Sequence, residues 1–353
     1  MDRTLTFLKE LVEAHGAPGF EGAVARVMEK HLKTVGPVSR DRLGSFIVEK
    51  KGGPGPRVML AGHLDEVGFM VKSVTKDGFV RFLPLGGWWG HVVLGQRLVI
   101  KTRKGDVVGV VGSKPPHELQ DEDRKKVLEI RQMFIDVGAS SDWDVRKHLD
   151  IRPGDPIIPD SSFTVMANPD LLLAKAWDNR IGCAIVAETM LRLKGSAHPN
   201  TVLGVATAQE EVGLRGATTS AFKTNPDVAF ALDVGIAHDT PGTEGDEKLG
   251  GGPLVVVYDS TSIPNRGLLD LTMDTAKKLK MPLQFESVER GGTDAGRIHI
   301  HGQGVPSLSM GVPARYIHSH VSIIDRRDFD ATVKLLVALV KRLDARTVAG
   351  LMP

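Results

Sequence analysis

Arg57-Val58-Met59-Leu60-Ala61-Gly62-His63-Leu64-Asp65-Glu66 is a run of apolar residues that stops abruptly on polar ones. A short, continuous apolar run of this kind reads as a strand covered on both faces. The residues upstream are compatible. Leu5, Leu8, Leu11 and Val12 form a helical stripe over Thr4 to Glu13, Ala17-Pro18-Gly19 breaks it, and a second helix starts at Glu21 and runs to Val35. Ser45 to Glu49 reads as a strand, separated from the next by the turn Gly52-Gly53-Pro54-Gly55-Pro56.

Downstream of Glu66 the texture changes. Val67–Val74, Phe79–Leu83, Gln96–Ile100 and Val107–Gly112 are short strand-like runs punctuated by Asp-Gly and Lys-Gly turns. Asp121 to Ile130 is charged and predicts an exposed helix; Phe134–Val137 and Asp155–Ile158 resume the strand character. This reads as a small all-β unit, a barrel. From Leu171 strands and helices alternate: Leu171–Ala174, the helix Ile181 to Leu193, Val202–Ala206, the helix Leu214–Phe222, Val228–Asp233, Leu254–Tyr258, the helix Gly267–Leu279, Pro306–Met310, and a closing amphipathic helix Asp325 to Arg342. That alternation predicts an α/β sheet with helices on both faces. The expected organisation is a domain of residues 1–66 and 166–353, split by a β-rich insertion at 67–165.

Composition narrows the function. The 353 residues suit two domains or one large one. Lys and Arg number 45 against 43 Asp and Glu, a balance that argues against a nucleic-acid footprint. One cysteine, Cys183, excludes a disulfide framework, and its place in an apolar helix makes it a small core residue. The beginning of the chain has no signal-type apolar core, and no stretch approaches the ~20 apolar residues of a membrane span. A cytoplasmic location without membrane partners is expected.

Open α/β sheets place their chemistry at the carboxyl ends of strands. Five strand ends here carry polar groups: His63 with Asp65, Asp178, Glu210-Glu211, Asp233, and His318. Each alone has an ordinary explanation. His63 suits a loop, Asp178 a helix cap, Glu210-Glu211 a solvated pair, and Asp233 a turn. Together, two histidines and several carboxylates match the ligand set of a site for two divalent metals. Neighbours in a strand point to opposite faces, so Glu210 and Glu211 share a site only if the strand has ended, as Val212-Gly213 suggests. One could then hold a metal while the other handles protons of a water. Asp65 is placed to accept the second imidazole N–H of His63.

The sequence resembles the tetrahedral (TET) aminopeptidases, the glutamyl-aminopeptidase or cellulase-M-like family of dinuclear metallopeptidases. The matching segments include Ala17-Pro18-Gly19-Phe20-Glu21, Gly62-His63-Leu64-Asp65-Glu66, Phe134-Ile135-Asp136-Val137-Gly138-Ala139-Ser140-Ser141, Asp178-Asn179-Arg180, Gln209-Glu210-Glu211-Val212-Gly213, Gly291-Gly292-Thr293-Asp294-Ala295 and Arg315-Tyr316-Ile317-His318-Ser319. They span almost the whole chain. The resemblance implies a mixed-sheet, phosphorylase/hydrolase-like catalytic domain with an inserted, PDZ-like β-barrel that mediates dimerisation, and an assembly of twelve subunits. It implies two cations, zinc or cobalt with manganese possible. His63 and Asp233 would hold one ion, Glu211 and His318 the other, with Asp178 as the bridge, followed by a cis peptide. Glu210 would be the general base, and Asp65 would orient His63. His320 is left out, since the family's ligand is the first histidine of His318-Ser319-His320. The loop Pro115–Lys126 would reach toward a neighbouring site.

The implied reaction is removal of N-terminal residues from peptides. Two alternatives are a non-peptidase amidohydrolase or deacetylase on the same site, and a glycoside hydrolase, which would need two carboxylates and no metal. Thr293 and Asp294 are expected to border the substrate pocket. Arg215 would bind a substrate carboxyl group or stabilise the Glu210-Glu211 loop. His15, His31, His148 and His198 are expected at surface or capping positions, and His91 in packing.

Overall fold

The computed structural model describes residues 1–352. The strand Arg57–His63 lies at the centre of an eleven-stranded mixed sheet. It runs parallel to Thr201–Thr207 on one side and to Val228–Ile236 on the other, and the latter is parallel to Ser307–Arg315. In this register Thr207 stands beside His63, and Asp233 beside Gly311. The polar strand ends are therefore brought to one edge of the sheet.

Side chains alternate across a strand, and the central strand feeds two cores. Val58 and Leu60 join the larger one, built from the helices Arg3–Glu13, Gly22–Leu32, Trp177–Leu193 and Arg326–Arg342. Met59 and Ala61 join the other, with Ala217 and Ala221 of the helix Arg215–Thr224 and Ile298. Helices thus cover both faces, as the alternating pattern predicts. The helix Trp177–Leu193 is buried along nearly its whole length, which is why its sequence shows no polar face. It packs flush on the central strand because residue 62 is glycine. A Cβ there would stand 2.7 Å from the carbonyl carbon of Gly182.

Six antiparallel strands between Gly68 and Pro159 close into a barrel with its own core of Phe69, Phe82, Ile100, Ile135 and Ile157. Asp77-Gly78 and Lys104-Gly105 make its turns, with φ of +86° and +128° at the glycines, a region that other residues occupy at a cost.

Three local expectations change. The charged segment Asp121 to Ile130 is helical only over Asp121–Arg124, with a separate 3₁₀ turn at Ile130–Gln132. Residues 121–127 are all exposed, so no apolar face holds a longer helix in place. Thr164–Val165, at the end of the expected insertion, pairs with Leu171–Ala174 of the main sheet. His198 is buried, not superficial: its ring lies under Gly52, and its Nδ1 is 3.0 Å from Asn200 Oδ1. No helix among the described residues is long and apolar enough to cross a membrane.

Candidate metal centre and active site

The strand that leads to Glu210 ends in a turn. Gln209 takes a φ of +57° and Gly213 one of +123°, which frees both glutamates to face the same side. Asp65 holds this turn. It is fully buried, and its two carboxylate oxygens accept the backbone N–H groups of Glu210 and Glu211, each at 3.0 Å. Glu21, from the N-terminal Ala17–Glu21 segment, adds a third hold by accepting the Gln209 N–H at 3.0 Å.

His63 donates from Nδ1 to the carbonyl oxygen of Asp65 at 3.1 Å. Asp65 does orient the ring, but through its backbone. Its carboxylate is 3.6 Å from Nδ1, drawn instead to two N–H groups that no regular element satisfies. The bond leaves Nε2 turned to the carboxylates, 3.2 Å from Asp178 Oδ1 and 3.7 Å from Glu210 Oε2. His318 mirrors this arrangement. Its Nδ1 donates to the carbonyl of Gly87 at 2.8 Å, and its Nε2 lies 3.2 Å from Asp178 Oδ2 and 3.6 Å from Glu211 Oε2. One carboxylate therefore presents one oxygen to each imidazole. Asp178 does not cap a helix; a cis peptide joins it to Asn179, as the resemblance implies, and its own backbone is non-helical.

Asp233 completes the cluster. Ligand atoms of His63, Glu210 and Asp233 lie within 4.8 Å of one another, and so do those of His63, Asp178 and Glu211. Burial dominates the electrostatics. It pushes the carboxyl of Glu210 well above its ordinary range, offset in part by His63 and reinforced by Asp233. It does the same to Asp233, and with the charge of Asp178 it lifts Glu211 to about 8. At Asp178 burial also pushes upward, but hydrogen bonds from His318 and His63 outweigh it and hold that carboxyl below its usual range. Burial would lower His318, yet its bond to Asp178 raises it to about 10. These are carboxylates and imidazoles that keep protons for want of other positive charge. Glu211 Oε1 is buried with no hydrogen-bond partner at all. Nitrogen and carboxylate donors around such an orphaned oxygen fit divalent cations.

The cluster opens into a cavity of about 580 Å³. Thr293 lines it, bonded to Ser309 Oγ at 2.6 Å. Asp294 does not line it; it is buried beneath and accepts the Thr207 hydroxyl at 2.5 Å. Arg215 is a correction as a substrate ligand. It is exposed, stays off the cavity wall and donates to Gln209 Oε1 at 3.1 Å, bracing the glutamate turn. His318 lines the cavity and His320 does not. Sequence reasoning missed Gly87, Glu286, Arg290 and Arg297, which also line the cavity. Gly87 acts through its carbonyl, which no side-chain pattern reveals.

Comparison with known proteins gives the class, a hydrolase of the peptidase type. The family model for M42 glutamyl aminopeptidase matches residues 44–335. A glutamyl aminopeptidase of Lactococcus lactis subsp. cremoris is 39% identical over 346 residues, 97% of each chain. A TET aminopeptidase from the marine sediment archaeon Thaumarchaeota archaeon SCGC AB-539-E09 superposes with a TM-score of 0.97 at 45% identity, over the whole of both chains. The Pyrococcus horikoshii TET1 peptidase, described as assembling into a tetrahedron or a large octahedral shell, has a TM-score of 0.86 at 30% identity, covering 96% of this chain and 100% of that one. The chain belongs to the M42 glutamyl aminopeptidase family and is an aminopeptidase.

Proposed function

We propose that the chain releases N-terminal residues from peptides at a centre where His63, Asp178, Glu211, Asp233 and His318 hold two divalent cations, zinc or cobalt, with manganese as a further option. The observation that carries this reading is Asp178, whose two oxygens each face one imidazole at 3.2 Å. Cations bound there supply Lewis acidity, polarising the scissile carbonyl and acidifying water. Glu210 is the general base. Its Oε2 lies on the His63 side of the cluster, and its raised pKa suits a group that takes a proton from attacking water and returns it to the leaving amine. Asp65 positions Glu210 and Glu211 by their N–H groups.

Self-association is assigned to the β-rich unit at 67–165, where Leu83, Val108 and Val110 are exposed; the assembly proposed is a dodecamer. The one cysteine is buried and unpaired, in keeping with a cytoplasmic site of action. The test is hydrolysis of aminoacyl anilides beside N-acyl amino acids, before and after chelation. Anilide hydrolysis lost on chelation and restored by Zn²⁺ or Co²⁺ supports the reading. Cleavage of N-acyl amino acids alone, or activity indifferent to chelation, overturns it.

A further inference from the structure

We propose that Glu286 selects peptides whose N-terminal residue carries a cationic side chain, lysine or arginine; this rests on the aminopeptidase reading of the site. Glu286 sits on the strand Gln284–Val288, only 4% exposed, while its neighbours Phe285 and Ser287 face solvent. It lines the cavity that holds the metal cluster. Its Oε1 accepts the Ile236 N–H at 2.8 Å, which pins the carboxylate against the strand that carries Asp233 three residues earlier.

The other oxygen is free. Oε2 lies over Gly235, in space that a Cβ would occupy. No donor among the described residues bonds to it, yet it is not sealed away from the cavity. A carboxylate oxygen fixed in place, almost wholly buried and without a donor needs one from outside the chain. Burial pushes this carboxyl above its ordinary range; the Ile236 N–H only partly offsets that, the nearby charge of Glu247 adds to it, and His238 offsets a smaller part. A bound ammonium or guanidinium group would supply what the ionised form lacks.

The walls suit the rest of such a side chain. Val234, Ile236 and Val288 line the same cavity and would carry the methylene stem of lysine or arginine. Arg290 and Arg297 also line it and would favour the opposite charge. Both are exposed, however, and water and salt screen exposed charges far more than buried ones. The buried carboxylate therefore sets the preference.

The experiment compares lysyl-, arginyl-, leucyl- and glutamyl-p-nitroanilides on zinc-loaded wild type, Glu286→Gln and Glu286→Ala. The glutamine variant keeps an oxygen for the Ile236 N–H and so guards against a folding defect. Wild type is expected to favour the lysyl and arginyl substrates. In Glu286→Gln the lysyl-to-leucyl ratio of kcat/KM is expected to fall about ten- to hundredfold, the range for losing a hydrogen bond to a charged group. An equal loss on all four substrates would mark Glu286 as structural and overturn the inference. So would a glutamyl preference indifferent to the substitution, which would give the choice to Arg290 and Arg297. If the metal-loaded wild type cleaves none of the anilides, the aminopeptidase reading itself fails, a result distinct from an altered preference.

Discussion

His63 and His318 present the same nitrogen to the same carboxylate from opposite sides, but different parts of the molecule hold them. His63 ends the central strand, its side chain 2% exposed, and is fixed by the carbonyl of a residue two positions away. His318 lies beyond the strand Ser307–Arg315, its side chain 38% exposed, and is fixed by the carbonyl of Gly87, 231 residues away. Gly87 follows the barrel strand Val80–Leu85. The inner half of the site is thus built on the sheet, whereas the outer half is tied to both the sheet and the barrel. The difference teaches that the sheet holds the proposed base and first cation position, while the proposed second position depends on how the barrel's loop is seated.

Four measurements would break or sharpen this contrast. The largest effect is expected at the inner half. Glu210→Gln should lower kcat by about 10²–10⁴-fold with both cations still bound, as metal analysis beside steady-state kinetics would show. Loss of metal along with activity would make Glu210 a ligand instead. Next comes the pair His63→Ala and His318→Ala, both expected to weaken metal binding. The first should also destabilise the metal-free protein in urea, by roughly 1–3 kcal/mol, because it empties a buried position; the second should cost less, because its side chain is partly exposed. Equal destabilisation would erase the distinction between the halves.

A smaller effect is expected from Gly86→Ala. Gly86 has a φ of +86°, and a Cβ there would stand 2.7 Å from Val67 Cγ1 and 3.1 Å from Glu211 Oε2. Displacing this loop should weaken one cation by about tenfold, as loss of a supporting contact does, and leave the other unchanged. Chelator titration would resolve the two, and a uniform change would show that the barrel loop does not single out His318.

The last effect is a proton, read as a slope against pH. Burial, with the charge of Asp178 added, raises Glu211 to about 8. A raised carboxyl keeps its proton below that pH and must release it to bind a cation. Metal uptake should therefore weaken as pH falls below about 8, by about tenfold per pH unit for one proton, until Glu211 would be protonated in any state. Calorimetry in buffers of different ionisation enthalpy would count that proton. Uptake independent of pH between 6 and 8 would remove Glu211 from the ligand set.

The sheet and its chemistry were readable because they are written in side chains. Val58 to Gly62 is continuously apolar, and a histidine or carboxylate closes each of the critical strands. The turn at Glu210-Glu211 followed from a parity argument that Gln209 and Gly213 bear out. The unread parts act through backbone or through distance. The Gly87 carbonyl and the Asp65 carbonyl carry no signature in residue type. Glu286 sits in an ordinary alternating strand and matters only because Gly235, far away in sequence, leaves room for it. Asp121 to Ile130 misled because charge periodicity resembles an exposed helix, although nothing packs against it.

The Asp65 carboxylate, with one oxygen on each of two successive N–H groups, has a further consequence. It clamps two successive peptide units, and the residues that carry those N–H groups are the proposed proton acceptor and cation holder. Their backbones are separated by one virtual bond of ~3.8 Å, a length fixed by covalent geometry. The spacing of the two backbones is thus set by covalent bonds, which repacking of the surrounding core does not alter.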